Sequence, residues 1–129
     1  MLDARTLVLD DDDAIVEILV HCLKPTVRLI DSAVDCEQAL ELFLAHRHAV
    51  VVLDLKMPKM DGFEVMQRIH QIEPRTHVIM VTGYASIEAA KKAVNRHAFG
   101  FLTKPFDYDE LRRLVVEAFA DYRERSSRQ

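Results

Sequence analysis

The sequence contains no tryptophan, and only three glycines, four prolines and two cysteines among its 129 residues. So little Gly and Pro, with no stretch of low complexity, argues against a disordered or linker-like chain. Cys22 and Cys36 show no metal-ligand spacing. Cys22 falls on the apolar face of a helical pattern, as a reduced, buried thiol does, and this points to a reducing, cytoplasmic location. No apolar run approaches the roughly 18 residues needed to cross a bilayer. The first residues also lack the basic-then-apolar pattern of a secretory signal, so no membrane role is expected. A dense basic face is missing as well, which argues against direct nucleic-acid binding.

Half of the residues are hydrophobic and 29% are charged, as expected for one domain with its own core. The net charge of −4 is unevenly spread. Residues 1–64 hold 6 Lys/Arg against 13 Asp/Glu, and residues 65–129 hold 11 against 8. An acidic first half suits cation binding. In the second half, Lys91, Lys92, Arg96, Arg112 and Arg113 read either as a protein-contact face or as ordinary solvated surface.

Short apolar runs alternate five times with stretches of helical period. Leu7–Leu9 precedes Ile15, Ile18, Leu19, Cys22 and Leu23, which share one helix face that ends before Pro25. Val27–Ile30 precedes Ala39, Leu40, Phe43 and Leu44. Val50–Leu53 shows no alternation, as expected of a strand covered on both faces, and leads to Phe63, Met66 and Ile69. Val78–Val81 precedes Ile87, Ala90 and Val94, and Phe99–Leu102 precedes a last helix carrying Leu111, Leu114, Val115, Ala118, Phe119 and Tyr122. Asp35/Gln38, Asp61/Glu64 and Asp107/Glu110 have capping-box spacing. Such alternation predicts a parallel sheet with helices on both faces and a ligand site beyond the carboxyl ends of the strands.

Those ends carry Asp10–Asp13, Asp54, Thr82 and Lys104. Carboxylates crowded at buried strand ends repel one another, and a bound hard cation of the magnesium type relieves them. Asp12 and Asp13 suit the cap of the first helix better than the metal. A lone carboxylate such as Asp54 can attack phosphorus and form an acyl phosphate. Thr82 offers a hydroxyl donor and Lys104 a compact cation for the phosphoryl oxygens.

The stretches Leu7–Asp12, Val51–Gly62, Met80–Gly83 and Phe101–Phe106 together resemble the receiver domains of two-component response regulators, in order from Thr6 to about Tyr122. The resemblance implies an α/β, (βα)5 flavodoxin-like three-layer sandwich whose five-stranded parallel sheet has the order 2-1-3-4-5. It implies a receiver over residues 1–122, and residues 123–129, polar and without an apolar anchor, read as a polar tail: a frayed helix end or the start of a linker. Asp54 would accept a phosphoryl group from the phosphohistidine of a sensor histidine kinase or phosphotransfer protein. Mg2+ would be bound directly by Asp11, Asp54 and the Lys56 backbone carbonyl, and through water by Asp10. Thr82 and Lys104 would hold the phosphoryl oxygens. A shift of Thr82 would let Phe101 turn inward and reshape the face made by the fourth helix, fifth strand and fifth helix. That face would control an output domain beyond residue 129 or a partner protein, or pair two copies of the chain. Lys104-Pro105 would be a cis peptide. The resemblance implies a signalling domain with at most slow self-dephosphorylation, not an enzyme.

Three departures from the commoner family pattern stand out. Phe101 is often Tyr, so an inward ring here has no hydroxyl to bond. His97 stands where Gly is frequent. Lys56 and Tyr84, both bulky, flank the path of the hydrolytic water and are expected to obstruct it, giving a long-lived phosphoaspartate. Lys56 could instead weaken Mg2+ binding. Other readings include a stand-alone regulator or phosphorelay intermediate, and a degenerate receiver. A phosphatase like the haloacid dehalogenases wants a second acid where Lys56 stands, and an FMN-binding flavodoxin would suffer repulsion from Asp10–Asp13.

Overall fold

Val50–Leu53 offers apolar side chains to both faces, and it forms the middle strand of the sheet. The computed structural model describes residues 2–127. Its elements are β1 (Thr6–Leu9), α1 (Asp13–Leu23), β2 (Ile30–Ala33), α2 (Cys36–His46), β3 (Val50–Leu53), α3 (Gly62–Ile72), β4 (His77–Thr82), α4 (Ile87–Asn95), β5 (Gly100–Thr103) and α5 (Tyr108–Ser127). All strands are parallel, in the order β2-β1-β3-β4-β5. This is the flavodoxin-like (βα)5 fold. Among the described residues no helix is long and apolar enough to cross a membrane.

The two-residue period of the strands sorts the core into two layers. Leu7, Leu9, Val51, Leu53, Val78 and Met80 face α2, α3 and α4, where they meet Phe43, Met66 and Ile69. Val8, Val50, Val52, Ile79 and Val81 face α1 and α5, where they meet Leu19, Cys22, Leu111 and Val115. Each fully buried Leu, Val or Ile contributes about 1.5–3 kcal/mol of transfer free energy. Helix starts follow the caps: Asp12, Asp35 and Asp61 accept from the amides of Ala14, Gln38 and Glu64. Asp107 accepts from Asp109 and Glu110 in the same way. Asp13 is the first residue of α1 and favours its dipole.

Two expectations need correction. The second strand is Ile30–Ala33 rather than Val27–Ile30. Val27 makes only an isolated bridge to Leu2, and the edge strand, half open to water, tolerates the polar sequence Ile-Asp-Ser-Ala that hid it. On α4 the small Ala89 and Ala93 are buried, whereas Ile87 and Val94 are 76% and 74% exposed, so the apolar stripe faces outward. The polar segment after Tyr122 continues α5 as helix to Ser127; Arg128 and Gln129 lie outside the described residues. His97, at the position where Gly is frequent, adopts the left-handed conformation itself with φ of 67°. The turn is kept, at a cost of about 1–2 kcal/mol for a side chain in that region.

The pole where the strands begin is rich in histidine. His48 is fully buried, with Nε2 2.7 Å from Asp31 Oδ2, while its Nδ1 has no hydrogen-bond partner among the described residues. Arg5 donates to the same Asp31 oxygen at 2.9 Å. Thr76 joins neighbours here: its hydroxyl donates to the His48 carbonyl at 2.7 Å, and its own carbonyl lies 3.1 Å from His70 Nε2. Burial pushes His48, His70 and His77 below the ordinary histidine value, only partly offset by their acceptors. For Asp31, burial pushes upward but the Arg5 and His48 hydrogen bonds outweigh it, and its carboxyl lies low.

These shifts set a pH dependence. The unfolded chain takes up protons on its histidines as pH falls through about 6.5, before the folded chain does, and stability is lost at up to about 1.4 kcal/mol per pH unit per histidine. The urea midpoint is therefore expected to fall between pH 7.5 and 5.5, and His48→Gln should flatten that fall. Equal midpoints at the two pH values would contradict the assignment.

Candidate functional site

β1 and β3 are neighbours in register, Leu9 beside Leu53, so the residues that follow them emerge side by side. Asp10 and Asp54 are those residues, 1% and 8% exposed, and the Asp54 amide donates to the Leu9 carbonyl at 3.1 Å. Asp11 is exposed on the rim. The three carboxylates each place an oxygen within 4.8 Å of the others. The loop after β3 bends sharply back: the Gly62 amide donates to the Leu55 carbonyl at 2.7 Å. A Cβ on Gly62 would lie 2.6 Å from the Asp54 carbonyl oxygen, so only glycine allows this approach.

Lys104, just after β5, reaches across the end of β4 to both buried acids. Its Nζ donates to Asp10 Oδ2 at 2.6 Å and to Asp54 Oδ2 at 3.3 Å. Burial raises the Asp10 carboxyl above its ordinary value, against the pull of the Lys104 ammonium and the Asp12 amide. Burial would lower Lys104, but its bond to Asp10 and the charges of both acids outweigh that and hold the ammonium firmly protonated. The Lys104 amide bonds the Thr82 carbonyl at 2.9 Å, and the Lys104-Pro105 peptide is cis.

Thr82 ends β4, fully buried, its hydroxyl accepting from the Tyr84 amide at 3.0 Å. The Lys56 amide donates to Asp54 Oδ1 at 3.3 Å. The Lys56 ammonium sits 4.1 Å from the centroid of the Tyr84 ring, in the geometry of a cation–π contact. Phe101 lies on β5, partly buried against the α2–α3–α4 layer of the core. The strand ends thus assemble Asp10, Asp11, Asp54, Thr82 and Lys104 at one rim. Two contacts were not foreseen in the sequence. One is the Asp10–Lys104 ion pair, between residues 94 positions apart. The other is the Lys56–Tyr84 stack, for which the only sequence signal is that each lies two residues beyond a strand-end site residue.

The donor set fits a hard divalent cation. Three carboxylates converge, all hard oxygen ligands, and Mg2+ needs only one or two of them together with water. Asp11 and Asp54 can serve as ligands while Asp10 remains paired with Lys104.

Comparison with known proteins agrees with this geometry. The family described as response regulator receiver domain matches residues 6–116. The regulatory protein AtoC of Escherichia coli K12 is 36% identical over 114 residues, covering 88% of this chain and 25% of that protein. The DNA-binding transcriptional regulator NtrC of the same organism is 33% identical over 117 residues, covering 91% of the chain and 25% of that protein. The chain thus spans about a quarter of the length of these relatives. Among solved structures, the signal receiver domain of an HD domain-containing protein from Pseudomonas fluorescens Pf-5 superposes with a TM-score of 0.88 at 29% identity, covering 95% of this chain and 99% of that one. Fold, strand-end acids and sequence agree, and the chain belongs to the response regulator receiver domain family.

Proposed function

We propose that Asp54 is the phosphoryl acceptor of this receiver domain, with the phosphohistidine of a sensor histidine kinase or phosphotransfer protein as donor. The observation that carries this reading is the convergence of Asp10, Asp11 and Asp54, two of which, Asp10 and Asp54, share the ammonium of Lys104. A carboxylate oxygen of Asp54 attacks phosphorus, the P–N bond breaks, and its electron pair stays on the imidazole nitrogen. The product is an acyl phosphate on Asp54. Asp11, Asp54 and the Lys56 backbone carbonyl would hold Mg2+, with Asp10 acting through water, and the bound ion would supply charge neutralisation for the transferring oxygens.

Lys104 already touches Asp54, so its ammonium can pass to a phosphoryl oxygen with little movement. The Thr82 hydroxyl keeps its proton free to donate there, because the Tyr84 amide uses only an acceptor site. Movement of Thr82 toward the phosphoryl group leaves space for Phe101 to turn inward. The surface that reads this change is built from α4, β5 and α5, where Ile87 and Val94 lie exposed. An output domain joined to the chain, or a partner protein, responds to that surface. Pairing with a second copy would cover the same side chains.

Lys56 and Tyr84 modulate the lifetime of the product. Their stack stands beside Asp54 and obstructs the line of approach for water. The AtoC and NtrC relatives support control of a longer regulator rather than turnover of a substrate.

Incubation with acetyl phosphate and Mg2+ should add one phosphoryl group to the intact mass of the protein and none to Asp54→Asn. Chelation of Mg2+ should abolish the labelling. An Asp54→Asn variant that labels as wild type does would sink the assignment. The double variant Lys56→Asn, Tyr84→Ala should lose its phosphoryl group about fivefold to tenfold faster, a change of about 1–1.4 kcal/mol in barrier. Loss at the wild-type rate would remove the obstruction argument.

A further inference from the structure

Thr82 ends β4 at the acidic rim; His77 begins the strand at the opposite pole, and there the chain is fastened to the last turns of α5. His77, largely buried, places Nε2 2.6 Å from Asp121 Oδ2, and Arg125 donates to that same oxygen at 2.8 Å. The His77 ring also packs 4.6 Å from Phe99, between centroids. Two residues earlier a second set of contacts reaches the same helix. Arg75 is braced by Glu73, to which Nε and Nη2 donate at 3.1 and 2.8 Å. So held, it donates through Nη1 to Ser126 Oγ at 2.8 Å and lays its guanidinium 5.3 Å from the Tyr122 ring centroid.

The recipients Asp121, Tyr122 and Ser126 are spaced i, i+1 and i+5 on one side of the helix, and Arg125 braces Asp121 from one turn further along. Without such contacts the end of a helix frays, because its last four carbonyls have no intrahelical partner. Exposed ion pairs alone hold little. Here one partner, His77, is desolvated at the start of an interior strand, and the other, Arg75, is fixed before it reaches α5. The segment also lies beyond residue 116, where the match to the family ends.

We propose that these two clasps clamp the last turns of α5 to the root of β4, making the helix a rigid lever up to Ser127. A chain continuing from it leaves the domain along an axis fixed relative to the sheet. Whatever the acceptor site does to the domain then reaches that continuation as displacement of a stiff rod, not as slack in a linker. The clamp does not depend on the acceptor assignment, and its test is read without a phosphodonor.

Hydrogen exchange of the protein should be compared with Arg75→Ala, Asp121→Ala and the double variant. Amides of residues 119–127 are expected to exchange about tenfold faster in each single variant and faster still in the double, with strand amides unchanged. At Asp121 alanine is the better helix former, so helix propensity alone would slow exchange there, while Arg75 lies in the turn before β4 and its replacement leaves the propensity of α5 untouched. His77→Gln, which keeps a donor for Asp121, should retain more protection than His77→Ala. Unchanged or slower exchange in 119–127 of the double variant would overturn the clamp. So would an equal acceleration in the strands, which would make these contacts general stabilisers of the fold.

Discussion

The fold is organised around a repulsion. Two carboxylates, Asp10 and Asp54, are delivered into neighbouring buried positions by strands that pair in register, and a third, Asp11, stands beside them. In a medium of low effective dielectric such a group is costly unless a positive charge shares the site. Lys104 supplies it from the far side of β4, and so the ends of β1, β3 and β5 are bound to one another by charge as well as by the sheet. The fixed ammonium only partly neutralises three acids. That residual negative charge suits the site to a hard cation.

Much of this was readable in the sequence because burial on two faces leaves a plain mark. Val50–Leu53 and Val78–Val81 lack polar residues since both sides meet helices. The acids and the lysine stand out because each follows such a run. β2 was misplaced because an edge strand half open to water tolerates Asp31 and Ser32, and a polar tetrapeptide does not announce a strand. α4 misled for the opposite reason. Its large apolar residues point outward, and two alanines suffice to seat it, so periodicity identified a helix and misassigned its buried side.

Pairings across long sequence separations were not legible. Nothing local links Asp10 to Lys104, or His77 to Asp121; only the strand order places them together. The end of α5 was likewise hidden, since its anchoring side chains are polar and meet polar partners, which in sequence looks the same as solvation. His48 is the extreme case. It is fully buried, with one ring nitrogen lacking a hydrogen-bond partner among the described residues, yet its sequence neighbours His46 and Arg47 suggest a wet surface.

The two ends of the described chain share a location. Leu2 pairs with Thr26 and Val27 at the pole where the strands begin, and α5 returns to that pole beside His77. Asp54 opens at the opposite pole, one strand length away. Additional mass joined at either end is carried behind the domain, leaving the acidic rim sterically open. The architecture therefore leaves the acidic rim clear of whatever is joined at either end, and one receiver can be recombined with different neighbours without rebuilding that rim.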